Sequence, residues 1–128
     1  MKRILITGAN KGIGFATVEA ALDHHDDTAI ILGVRDIERG QAAIDTLCEH
    51  HPTRASRLEL LQVDVADDQS VVRARDTLAT RHGTDPSPLF GLVNNAGIGL
   101  GSNDMEAVVN TNTIGVKRIC DAFIPLVE

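Results

Sequence analysis

The chain has no tyrosine and no tryptophan, and only three phenylalanines among its 128 residues. A reaction that needs a phenol as acid or base therefore has no donor within these residues. Cysteine is nearly absent too: Cys48 and Cys120 are the pair. Both fall on apolar faces of predicted helices, as small buried hydrophobes of a reducing compartment rather than a disulfide or metal pair. No apolar run approaches the length of a membrane-crossing helix. A strand candidate starts at Arg3 or Ile4, which leaves no room for a signal peptide and makes a cytoplasmic protein the expectation. Positive charge is in deficit, with a formal net charge of −6, so neither a nucleic-acid surface nor an anionic-membrane surface is expected.

What is present is ordered. The run Ile4-Leu5-Ile6-Thr7 suits a buried strand, and glycines at 8, 12 and 14 then break it. A helical pattern follows at once, with Phe15, Val18 and Leu22 on one stripe. Strand, glycine turn and helix N-terminus in this order form a cradle for a phosphate group: open backbone N–H groups and the positive end of the helix dipole face the anion. The run Asp23-His24-His25-Asp26-Asp27 is expected to be a solvated helix end, since no further ligands stand at metal-like spacing.

Thr28–Val34 is a β-branched apolar run that reads as a strand buried on both faces. A second helix is predicted from Ile37 to about His50, stopped by Pro52. Leu58–Val63 is a third strand, ending in Asp64-Val65, and Asp67 or Asp68 can cap a third helix with the stripe Val71, Ala74, Leu78. Residues 83–88 are a loop by composition. Leu89–Val93 is the fourth strand, Asn94-Asn95-Ala96-Gly97 breaks it, and a glycine-rich loop to Ser102 leads to a last helix from about Met105 to Leu126. The alternation βαβαβαβα predicts an α/β fold, a Rossmann-type three-layer αβα arrangement with a parallel sheet of order 3-2-1-4. The whole of 1–128 is expected to be one dinucleotide-binding domain, left incomplete after the helix that follows strand four. The residues with chemistry to offer then converge on the carboxyl ends of the strands.

These residues resemble the short-chain dehydrogenase/reductase family. Its Thr-Gly-x-x-x-Gly-x-Gly turn matches Thr7–Gly14 at every fixed position. The Asn-Asn-Ala-Gly after strand four matches Asn94–Gly97, Asp-Val after strand three matches Asp64-Val65, and an Asn in the next long helix matches Asn112. The segments Gly8–Gly14 and Arg35–Ala43 look most like those of carbonyl reductases. The resemblance implies a cofactor site made by Gly8, Asn10, Lys11, Gly12, Ile13, Gly14, Arg35, Asp64, Val65, Asn95, Ala96 and Gly97. Gly8, Gly12 and Gly14 would pack under the pyrophosphate and adenosine ribose. Asp64 would bond the adenine amino group, the Val65 backbone would support the ring, and Asn95 would lie near the nicotinamide-side ribose. Read from the residues alone, Asp64 has a second, less favoured reading as a strand-end turn former. Asn112 sits in the stripe Val109, Asn112, Val116, Ile119, Cys120, Phe123 and is either a register-setting core residue or, as the family implies, part of a catalytic proton relay.

A carboxylate at the end of strand two would accept from a ribose 2′-OH and repel a 2′-phosphate. Val34 holds that position here, with Arg35 next and Lys11 across the turn, so the cofactor expected is NADP(H). Asp36 lies one residue further on. The family's chemistry also needs a serine, and a Tyr-x-x-x-Lys pair on the helix after strand five. No tyrosine exists here and Lys117 lies in an earlier helix. The loop after Gly97 is shorter than the family's, so its small intervening helix is expected to be lost, and Phe90-Gly91 replaces an Asp common before strand four. Two readings follow. One is the cofactor-binding N-terminal fragment of an NADP-dependent oxidoreductase that reduces small carbonyl substrates, inactive alone and a possible homo-oligomer at full length. The other is a non-catalytic remnant that binds a nucleotide or a partner.

Overall fold

The computed structural model describes residues 1–99, 101 and 103–128. Four parallel strands form its centre: β1 (Lys2–Thr7), β2 (Thr28–Val34), β3 (Leu58–Gln62) and β4 (Gly91–Val93), in the order β3-β2-β1-β4. This is the predicted order. Ile4 sits opposite Ile30 on one side and Gly91 on the other.

Side-chain alternation along the strands divides the core into two layers. Ile6, Ile30 and Leu32 face the layer holding Val18 and Leu22 of α1 (Gly12–His24) and Leu47 of α2 (Ile37–Cys48). Leu5, Ile31 and Leu61 face the other layer, with Leu78 of α3 (Asp68–His82) and Ile119 and Phe123 of the last helical stretch. Helices on both faces explain why β2 is apolar at nearly every position. Asp67 caps α3, accepting from the backbone N–H of Gln69 at 2.9 Å and Ser70 at 3.3 Å. Gly83, at φ +78°, ends the helix where other residues would be strained.

The structure departs from expectation in five places. Pro52–Arg57 form a 3₁₀ helix before β3. The last helix is three pieces: α4 (Met105–Val109), a π turn (Asn110–Ile114) and α5 (Gly115–Phe123), followed by a 3₁₀ turn to Leu126. The π turn breaks the expected stripe: Ile119 and Phe123 are buried, whereas Val109 and Asn112 are exposed, because the extra residue rotates everything before it. Cys48 and Cys120 are free but only half-buried, so neither is the core residue expected of it. Leu89 lies outside β4 and forms a parallel bridge with Val127, where Glu128 N–H donates to Leu89 O at 2.8 Å. The described residues between Gly97 and Asp104 hold no helix; Leu100 and Ser102 of the predicted glycine-rich loop lie outside the described residues. No helix among the described residues is long and apolar enough to cross a membrane.

Candidate cofactor cleft

The glycine turn leaves β1 and enters α1 in a conformation that needs glycine at two points. Gly8 has φ +65° and Gly12 φ +59°. Gly14 is required for space instead: a Cβ there would overlap the Gly8 carbonyl oxygen and the Asn95 side-chain amide. Lys11 occupies the N-cap of α1 in extended conformation without a side-chain cap, and the first turn of the helix carries no acidic residue. Its opening N–H groups are thus left for something other than the protein's own side chains.

The buried Thr7 hydroxyl ties this turn to the end of β4. Its Oγ1 accepts from the backbone N–H of Asn95 at 3.1 Å and of Ala96 at 3.0 Å. The Asn95 side chain in turn donates to Gly8 O at 3.1 Å. After β3, Asp64 makes the strand-end turn that its sequence allows, with Oδ1 accepting from Ala66 N–H at 3.0 Å and its own N–H donating to Ser70 Oγ at 2.8 Å. The second carboxylate oxygen has no protein partner among the described residues, so the turn and an outward-facing acceptor coexist.

Together these segments enclose a cleft of about 410 Å³ above the carboxyl ends of the strands. It takes in Gly8, Asn10–Ile13, Arg35, Asp64, Val65 and Asn95–Gly97, which is every predicted cofactor residue except Gly14. Gly14 lies buried beneath it as the packing floor. Ile13, 81% exposed, offers an apolar surface beside the cationic side chains. Ile98 and Thr111 also line the cleft. Sequence reasoning missed both, although each adjoins a motif residue. Asn112 does not line it. Its amide clasps the Ile98 backbone, accepting from N–H at 2.8 Å and donating to O at 2.7 Å, which excludes the core role considered for it. A larger recess, about 630 Å³, runs along the outer edge of β3 and shares Arg35 and Asp64 with the cleft, but it lacks the glycine turn.

The charges in the cleft are uneven. Lys11 and Arg35 are exposed and without ion-pair partners among the described residues. Asp36, the carboxylate nearest the end of β2, caps α2 by accepting from Arg39 N–H at 3.2 Å and pairs with its guanidinium at 3.7 Å. Among the described residues no group of His, Cys, Asp and Glu could hold a metal ion.

An open parallel sheet with a cleft at the reversal of strand order, floored by a glycine turn at a helix N-terminus, defines a fold of the Rossmann type. The profile of the short chain dehydrogenase family matches residues 2–128, and the chain belongs to that family. It is 35% identical to mouse carbonyl reductase (NADPH) 1 over 131 residues, covering 97% of this chain and 44% of that protein. Among solved structures, NADPH-bound carbonyl reductase from chicken fatty liver superposes with a TM-score of 0.77 at 29% identity, over 98% of this chain and 48% of that one. Menthone neomenthol reductase from Mentha piperita gives 0.82 at 26% identity, over 98% and 55%. The chain thus spans about half the length of the curated relatives it matches.

Proposed function

We propose that these residues are the NADP(H)-binding, N-terminal part of a short-chain oxidoreductase that reduces small ketones or aldehydes. The observation that carries this is the pair of uncommitted cations at the cleft, Lys11 and Arg35, beside an Asp36 already spent on capping α2. A 2′-phosphate placed there would meet a bidentate guanidinium and an ammonium, with Asp36 held back by Arg39. The pyrophosphate would lie on the opening N–H groups of α1, where the missing Cβ atoms at Gly8 and Gly14 leave the turn flat. The free Asp64 oxygen would accept from the adenine amino group, Val65 would support the ring, and Asn95–Gly97 would face the nicotinamide-side ribose. When bound, the reduced nicotinamide would supply a hydride to the carbonyl carbon and be left oxidised.

With both ends of its amide engaged by Ile98, Asn112 serves this site by fixing the loop after β4. The acid and base for the carbonyl oxygen do not come from tyrosine within these residues, since there is none. The isolated chain accordingly binds cofactor and does not turn over. The same absence favours the second reading, a nucleotide-binding remnant without catalysis. The chain's similarity to several carbonyl reductases supports the first. Calorimetric titration with NADPH and NADH tests the cofactor, and a carbonyl-reduction assay tests the rest. NADPH should bind the more tightly and turnover should be absent. Tighter NADH would remove the role given to Lys11 and Arg35, and robust turnover would overturn the account of the missing acid and base.

A further inference from the structure

The π turn stands between the two loops that flank the cleft. In it the Gly115 N–H donates to Asn110 O, five residues back, instead of four. From its first residue, Asn110 Nδ2 donates to Ala66 O at 3.1 Å, in the loop after β3. From its third, Asn112 clasps Ile98, in the loop after β4. A single irregular turn therefore holds the adenine-side and nicotinamide-side loops at once. Its backbone also presses on Val65: a Cβ at Gly115 would lie 3.0 Å from both Val65 Cγ2 and Val65 O.

We propose that Arg118 is the positioning residue that locks this turn, and so sets the spacing of the two loops across the cofactor cleft. Its side chain is only 17% exposed. Nη1 donates to Val65 O and to Asn110 O, both at 3.1 Å, Nη2 donates to Asn110 Oδ1 at 2.6 Å, and Nε pairs with Asp68 at the start of α3. The planar fork of guanidinium meets three groups on one side and a carboxylate on the other, which an ammonium cannot reproduce. Without it, Val65 O and the Asn110 side chain lose charge-assisted donors, and the turn is free to relax to regular helix. Loss of the extra residue would rotate Asn112 by roughly 100° relative to α5, away from Ile98. The cofactor half of this inference rests on the NADP(H) reading above, whereas the clamp itself does not.

Amide hydrogen exchange and NADPH calorimetry on Arg118→Met and Arg118→Lys separate the two. In Arg118→Met the Ile98 amide should exchange about tenfold faster while the core amide of Leu32 is unchanged, and NADPH should bind about tenfold more weakly. Arg118→Lys should fall between it and wild type. Wild-type exchange at Ile98 would overturn the clamp, as would equal acceleration at Ile98 and Leu32, which marks general destabilisation. Faster Ile98 exchange with unchanged NADPH affinity would remove the cofactor half. Failure of the wild-type chain to bind NADPH would remove the proposed function and leave the exchange result to decide the clamp.

Discussion

At the amino ends of the strands, Arg54 and Arg57 are consumed by the protein itself; at the carboxyl ends, Lys11 and Arg35 line the cleft without an ion-pair partner among the described residues. Arg57 donates to Thr28 O at 2.8 Å, to Leu22 O at 3.3 Å and to His25 O, which satisfies carbonyls at the end of α1 and the start of β2. Arg54, 8% exposed, donates to Leu47 O at 3.2 Å near the end of α2 and pairs with Asp23. The C-terminal carbonyls of both helices on that face thus find protein donors. The N-terminus of α1 gets no side-chain cap, and Lys11 and Arg35 beside it form no ion pair among the described residues. Identical chemistry is used for stability at one end and held in reserve at the other. The lesson is that a charged side chain is informative by what it leaves unbonded.

Substitutions can break that contrast. The largest effect is expected from Gly14→Ala, whose Cβ has nowhere to go: about 3 kcal/mol of stability lost in urea unfolding, together with nucleotide binding. Next is Arg57→Met, which strips donors from three carbonyls and should cost about 2 kcal/mol in the same experiment while NADPH affinity stays at wild type. A fall in affinity there would mean that the two ends are not independent. Arg35→Glu should do the reverse, leaving stability within about 0.5 kcal/mol and weakening NADPH at least about tenfold, with NADH less affected. Equal losses for both cofactors would sever Arg35 from the 2′-phosphate.

The smallest effect concerns pH. Burial alone would push the Glu59 carboxyl up, but hydrogen bonds from Arg81 and His82 and their charges outweigh it and hold it below the ordinary value of 4.5. The stability it contributes is present above that pH and lost as pH falls through the depressed value. Glu59→Gln should flatten the acid limb of a stability–pH profile by less than about 1 kcal/mol. An unaltered limb would show that the pair contributes nothing.

Much of the cleft was legible because each of its segments combines a local signal with a fixed place in the alternation. Thr7–Gly14, Asp64-Val65 and Asn94–Gly97 all end strands, and parallel strands put their ends together. Asp67 as the cap of α3 was readable for the same local reason. The π turn was not, since Val109, Asn112, Val116 and Ile119 have helical spacing in the sequence whether or not the turn at Asn110–Ile114 is widened. Arg118 was invisible because an arginine next to Lys117 on a helix reads as surface. Its partners, Val65, Asn110 and Asp68, come from three separate segments that no local spacing brings together.

The Thr7 hydroxyl has a temporal consequence. Its two acceptor contacts join residues 88 and 89 positions apart, from near the first residue to the end of β4. On an emerging chain the glycine turn is made well before Asn95 and Ala96, and it has no completed cleft until β4 has been synthesised and has docked. Any nucleotide that meets the nascent chain earlier finds a loop and a helix end but no far wall.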